Sequence, residues 1–326
     1  MIVSIVLTIF TYFVLKANWY DNYPWLHWLP FGASFTIAPS FYLYIKYLVG
    51  NHQFRRVEIL HFSPIILNYL HSVYHLIYGR TIYHVGFHNF TEAIQLFAIF
   101  PGIFYLYYTR KEIKKYHHNI LNHFSSIEKR TLNWAKSLLN LFVSIYILIL
   151  VFIIVDSELL FNYQLEFSQT FLMPYDEILV VSYIIGMYFS SIGTYHQQQV
   201  PKLIPINNTS TYSKKNLKEL ADKIQKTIEE EQLYTNPNVS LRFLEDHLTL
   251  SAKEISLTLN HYFHKNFYEY INTFRVEMAK EKLTSSTNQN LTIEAIGYDS
   301  GFNSKATFYR IFKEHTGKSP GAYRVS

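Results

Sequence analysis

With 326 residues, 49% of them apolar and 18% aromatic, the chain is long enough for two domains and too hydrophobic to be disordered. It contains no cysteine, which excludes disulfides, thiolate nucleophiles and cysteine-ligated metals. The net charge of +5 hides a split: residues 1–195 carry 12 Lys/Arg and 10 Asp/Glu, whereas the shorter stretch 196–326 carries 17 and 14.

The chain opens MIVSIVLTIFTYFVL, and its first cation, Lys16, follows that apolar run instead of preceding it as in a secretory leader. Residues 2–15 therefore read as a retained span, and a reading frame that begins inside an apolar run leaves a further span ahead of it open. Apolar stretches of near-spanning length recur at 2–19, 31–49, 59–78, 93–108, 138–155 and 178–195. Since a helix needs roughly 20 residues to cross the hydrocarbon, these predict a transmembrane domain of about six helices over residues 1–196, in contact with membrane lipid.

The connectors orient it. Arg55 and Arg56 follow the second stretch, and Arg110, Lys111, Lys114, Lys115, Lys129, Arg130 and Lys136 follow the fourth, so both loops are expected in the cytoplasm. The loop after the fifth has five acids and no cation, which places it outside and everything after Tyr195 in the cytoplasm. The expected location is thus the inner (cytoplasmic) membrane, multi-pass, with a cytoplasmic C-terminal domain.

Fifteen histidines stand out, four of them in HSVYH (His71, His75) and HVGFH (His84, His88). An i, i+4 pair points both imidazoles to one side of a helix, a geometry a metal could use, but these histidines read first as ordinary polar residues near the outer interface, next as part of a signal-sensing or pH-responsive pocket, and last as metal ligands. Adjacent-histidine patterns of the HxxHH kind are not supplied by KKYHHNILNH, and no Gly-rich phosphate loop or GxSxG appears. No catalytic residue, metal site or cofactor is expected, and the chain does not read as an enzyme. A membrane metalloenzyme or transporter with a regulatory helical appendage is the alternative.

QQVPKLIPINNTSTYSKKN reads as a linker, and LKELADKIQKTIEEEQLY as an amphipathic helix with Leu217, Leu220, Ile224 and Ile228 at helical spacing. Residues 197–236 are thus a linker and coupling helix. Beyond Pro237 two similar units follow, VSLRFLEDHLTLSAKEISLTLN and LTIEAIGYDSGFNSKATFYRIFK. Each has a helix-spaced apolar pattern, a break, a polar N-cap (Ser251; Asn303 or Ser304) and a second helix, which is the helix-turn-helix pattern. FYEYINTFRVEMAKEKLTSS between them reads as a rigid connecting helix, able to hold two second helices about 34 Å apart.

The stretch from about Asn238 to Arg324 resembles the double helix-turn-helix domain of the AraC family of bacterial transcription regulators. The resemblance rests on Gly301–Phe302, Ser304, FYRIFK from Phe308 to Lys313, Gly317, Ser319–Pro320 and Tyr323–Arg324. Together with the polytopic N-terminal half it is similar to the membrane-anchored subgroup. It implies an all-α fold, a transmembrane helix bundle followed by a cytoplasmic DNA-binding domain at 237–326. The implied function is a membrane-embedded regulator that senses a small-molecule or envelope signal and binds double-stranded promoter DNA, with a homodimer as a candidate assembly.

On that resemblance the DNA-contacting residues are Lys253, Ser256 and Leu257 in the first unit and Ser304, Lys305, Ala306, Thr307, Tyr309, Arg310 and Lys313 in the second. Arg310 could pair with guanine or phosphate, and Thr307 could touch a thymine methyl. Five cations against one acid between Lys305 and Arg324 suggest the stronger phosphate grip lies there. Glu245 and Gly297 stand where small Ala is usual, which predicts poorer helix packing at Glu245 and looser packing at Gly297. Thr258 stands where an apolar residue is expected.

Overall fold

The computed structural model describes residues 2–17, 19–23, 25–26, 36–50, 53–63, 66, 69, 86–128, 130–156, 181–182, 184–186, 188, 191–192 and 214–325. No strand occurs among them; one isolated antiparallel bridge pairs Phe124 with Ser240. The chain divides into two compact units. The first is Met1–Lys115 with Leu132–Val200, and the second is Tyr116–Thr131 with Pro201–Ser326.

The main helices of the first unit are α1 (Ile2–Lys16), α2 (Ile37–Val49), α3 (Gly86–Leu121) as far as Lys115, and α4 (Asn133–Asp156). Ser4 and Ser40 share a buried hydrogen bond at 3.3 Å between α1 and α2. The Phe41 and Phe142 rings meet edge-on at 5.3 Å, and α4 buries Ala135, Leu138, Leu139, Phe142 and Ile145 along one stripe. The glycine after Pro101 has a packing reason, because a Cβ on Gly102 would lie 2.2 Å from the Tyr146 hydroxyl.

The expected polytopic transmembrane bundle and multi-pass membrane location are overturned here: among the described residues, no helix is long and apolar enough to cross a membrane. At about 1.5 Å per residue, the 15 residues of α1 and the 13 of α2 fall short of the roughly 30 Å hydrocarbon. The 36 residues of α3 are long enough, but they include Arg110, Lys111, Lys114 and Lys115. Most of the stretches 59–78 and 178–195 lies outside the described residues, as do the linker up to 213 and His71, His75 and His84. His88 lies in α3, with its side chain outside the description.

The second unit is built from α5 (Lys214–Glu230), α6 (Leu241–Leu248), α7 (Ala252–Tyr262), α8 (Phe267–Thr284), α9 (Ile293–Asp299), α10 (Lys305–Thr316) and α11 (Pro320–Val325). The amphipathic α5 lays Ile224 and Ile228 into one core with Leu241, Leu244 and Leu248 of α6, Ile255 and Leu259 of α7, and Phe267, Tyr270 and Ile271 of α8. That helix is thus part of the packing of the first helix pair.

Candidate nucleic-acid interface

Each helix pair owes its angle to local chemistry. In the first, the Ser240 hydroxyl caps α6 by accepting from Phe243 N–H, and Thr249 ends it in the left-handed region at φ 54°. Ser251 and Glu254 then form a reciprocal capping box that starts α7. Glu245 does not spoil the packing as the sequence suggested. Its carboxylate accepts the Ala252 N–H at 3.2 Å, putting negative charge at the N-terminus of α7, where free amides and the helix dipole favour it. Thr258 is fully buried with its hydroxyl donated to Glu254 O at 2.8 Å, which satisfies the polar atom in an apolar position.

In the second pair, Thr292 caps α9 and Ser304 caps α10. The turn between them passes through Gly301 at φ 93°, and a Cβ there would sit 2.3 Å from Tyr234 O and 3.0 Å from Arg275 Nε. Gly297 tightens the pair instead of loosening it. The Phe308 ring lies where its Cβ would be, with the nearest ring carbon at 2.5 Å. Phe302, Phe308, Ile311 and Phe312 form the buried core, as expected of a small aromatic-rich pair.

The connecting helix α8 begins with an Asn266–Glu269 capping box and buries Tyr270, Ala279 and Leu283. It also carries Arg275, the largest fully buried side chain of the described residues. All five of its N–H groups are used. Nε donates to Tyr234 O at 2.8 Å, Nη2 to Asn236 O and Ser125 Oγ at 3.0 Å each, and Nη1 to Ser125 O and Asn272 Oδ1 at 3.3 Å each. Burial pulls the guanidinium down to about 10, which leaves it charged at neutral pH.

Of the residues expected to read DNA from the first pair, Lys253 is half-buried while Ser256 and Leu257 are buried. Asn260, which the sequence reading did not single out, lies one turn beyond Ser256 and donates to Ser256 O at 2.8 Å and Ser256 Oγ at 3.3 Å. From the second pair, Lys305, Ala306, Arg310 and Lys313 are exposed, Ser304 and Tyr309 are half-buried, and Thr307 is buried. Lys305 ion-pairs with Glu294 and lies 5.7 Å from the Tyr309 ring centre. Arg310 donates to the Glu314 carboxylate at 3.0 and 3.2 Å and to the Tyr268 hydroxyl at 2.8 Å, so α8 aims its guanidinium. The charged edge of α10 thus combines an aimed fork, an ammonium and Lys313 on one 12-residue helix, groups suited to phosphate and base edges.

Residues 244–326 match the family model described as "Helix-turn-helix domain". The C-terminal part of the chain is a helix-turn-helix domain. Uncharacterized HTH-type transcriptional regulators of Staphylococcus aureus strains COL and MSSA476 are each 31% identical to the chain over 103 residues. That is 32% of this chain but 13% of theirs, so the chain spans about an eighth of the length of the curated relatives it matches. A protein of unknown function from Listeria innocua is 28% identical over 32% of this chain and 95% of its own, with a TM-score of 0.29.

Among the described residues, no group of three or more His, Asp or Glu is placed to hold a metal ion. The signals that sequence reasoning missed are Asn260 and Tyr268 beside the second helices, together with residues 122–128, while Asn303 reads from the sequence only as a cap candidate. Asn260 and Tyr268 sit at ordinary helical positions, and 122–128 lie more than 100 residues away in sequence, so no local pattern marks them.

Proposed function

We propose that the chain is a DNA-binding transcription regulator of the AraC type, gripping duplex DNA through α7 and α10, with α10 supplying most of the affinity. The observation that carries this is the pair of capped second helices mounted on the single helix α8, one of them bearing exposed Lys305, Arg310 and Lys313. In this reading Arg310 reads a guanine edge or a phosphate, and Lys305 and Lys313 neutralise phosphates. Ala306 and Tyr309 offer apolar and ring contact beside them. Lys253 is the cation of α7, and the burial of Ser256 and Leu257 beside it favours weak base selectivity from the first pair.

Duplex binding by the full chain, titrated with salt, tests the proposal. Arg310→Ala and Lys305→Ala should each weaken retention of duplex DNA, and occupancy mapped across a genome should fall near regulated genes. Binding that ignores both substitutions and salt would refute it.

A further inference from the structure

The second unit contains a segment from far upstream, Tyr116–Thr131, set against its helix pairs. Its placement is specific. Leu241 N–H donates to His123 O at 3.0 Å, Ser125 N–H to Val239 O at 3.4 Å, and Ser125 Oγ to the same carbonyl at 2.8 Å. Ser125 also supplies two of the acceptors of Arg275. Within the segment, the Arg130 guanidinium stacks 4.4 Å from the Phe124 ring centre and donates to Ser126 O at 2.8 Å, while the Tyr116 hydroxyl donates to Arg130 O at 2.9 Å. These contacts make a shaped loop.

What the loop touches is the point of interest. At one end Asn122 Oδ1 lies 3.5 Å from Asn260 Nδ2 of α7. At the other, Ser126 Oγ accepts from Asn303 Nδ2 at 2.7 Å, and Glu128 Oε1 accepts from the Thr307 hydroxyl at 2.7 Å, both at the start of α10. A second bond, from Ser126 Oγ to Glu128 Oε2 at 2.7 Å, fixes the carboxylate. The loop therefore reaches both second helices, and it offers the N-terminus of α10 an anionic oxygen and a hydroxyl oxygen. The anionic oxygens of a DNA phosphate are acceptors for the same donors.

We infer that residues 122–128 are an intramolecular occupant of the DNA-reading face, so that this conformation is a closed one and duplex DNA competes with the loop. The inference rests on the proposal that α7 and α10 contact DNA, and it adds the regulation of that contact. Opening moves Glu128 away from Thr307, which removes a negative charge from the path of the phosphates and uncovers the start of α10. It also frees two donors of Arg275 from Ser125. The loop is covalently continuous with α3 and α4.

The test uses the full chain and a pool of random-sequence 40-base-pair duplexes at low salt. Because the chain has no cysteine, Ser126→Cys with Asn303→Cys creates a unique pair. It can be bridged by a short, reducible bis-thiosulfonate reagent. The bridged protein should bind the pool at least tenfold more weakly than the same protein after reduction, and equal binding would overturn the inference. In unbridged protein, Glu128→Gln and Glu128→Ala should each raise affinity at least threefold, whereas unchanged or lower affinity in both would overturn it. If no variant in either state retains DNA, the DNA-binding proposal itself falls and takes the inference with it. If all bind alike, only the inference falls.

Discussion

Arg275 and Ser125, 150 positions apart in sequence, are joined by two hydrogen bonds, from Nη2 to the hydroxyl at 3.0 Å and from Nη1 to the carbonyl at 3.3 Å. The guanidinium has no carboxylate among its hydrogen-bond partners, and its burial is offset by five acceptors, three of them backbone carbonyls and two of the five from Ser125. A buried cation held this way makes the upstream loop part of the stability of the second unit.

Arg275→Met should therefore cost that unit roughly 3 kcal/mol, because it leaves Tyr234 O without a donor and takes one of two donors from both Asn236 O and Ser125 O. Ser125→Ala should cost about 1 kcal/mol. Native-state hydrogen exchange at the α8 amides reads both losses. Unchanged protection in Arg275→Met would mean that the acceptors find other donors.

Gly297→Ala should destabilise the second helix pair by about 1–3 kcal/mol, since the added methyl meets the Phe308 ring in a filled core. Substituting Phe308 by the smaller Leu in the same chain should recover part of the loss, a non-additivity that a double-mutant cycle measures. Additive losses would show that the two residues do not share the strain.

Arg310→Ala should weaken duplex binding by about 1–3 kcal/mol and relax base preference if the fork reads guanine. Lys313→Ala should weaken binding to all sequences alike and lower the slope of affinity against salt by about one. Tyr268→Phe removes the hydroxyl that aims Arg310 and should reproduce a fraction of the Arg310 effect. Fluorescence anisotropy across a salt series distinguishes the three outcomes.

Desolvation pushes the Glu128 carboxyl up, but hydrogen bonds from the Thr307 and Ser126 hydroxyls more than offset it and hold the group below the ordinary 4.5. A carboxyl lowered in the folded state stabilises its contact fully above that ordinary value, and the contribution is lost as pH falls through the lowered one. At pH 7 the α10 amides of the native protein should therefore exchange more slowly than those of Glu128→Gln, and the difference should vanish once the pH has fallen below the lowered value. A difference that persists there would assign the effect to shape instead of charge.

The helices of the C-terminal domain were legible because their signals are local. Ser251 with Glu254 is a capping box within four residues, Gly301 must follow its helix to make the turn, and apolar positions repeat at helical spacing. The cations of α10 were legible for the same reason, since Lys305, Arg310 and Lys313 lie on one short helix whose core face is marked by Phe308, Ile311 and Phe312. The reading failed where a run of apolar letters stood in for a length of helix. The stretches at 2–19 and 31–49 contain helices of only 15 and 13 residues among the described residues.

The sequence by itself determined the helical content, the two helix-turn-helix units and the residues that give α10 its charge, because capping, turn geometry and periodicity act within a few positions. Only the tertiary structure decided that Gly297 serves close packing, that Glu245 caps a neighbouring helix, that Thr307 is covered, and that Glu128 and Ser125 belong to the second unit. Each of those depends on an atom supplied from elsewhere: the Phe308 ring, the Ala252 amide, the carboxylate of Glu128 and the Arg275 fork. Chain separation carries no trace in local pattern, and a buried polar group reveals its partner only when the fold has brought the two together.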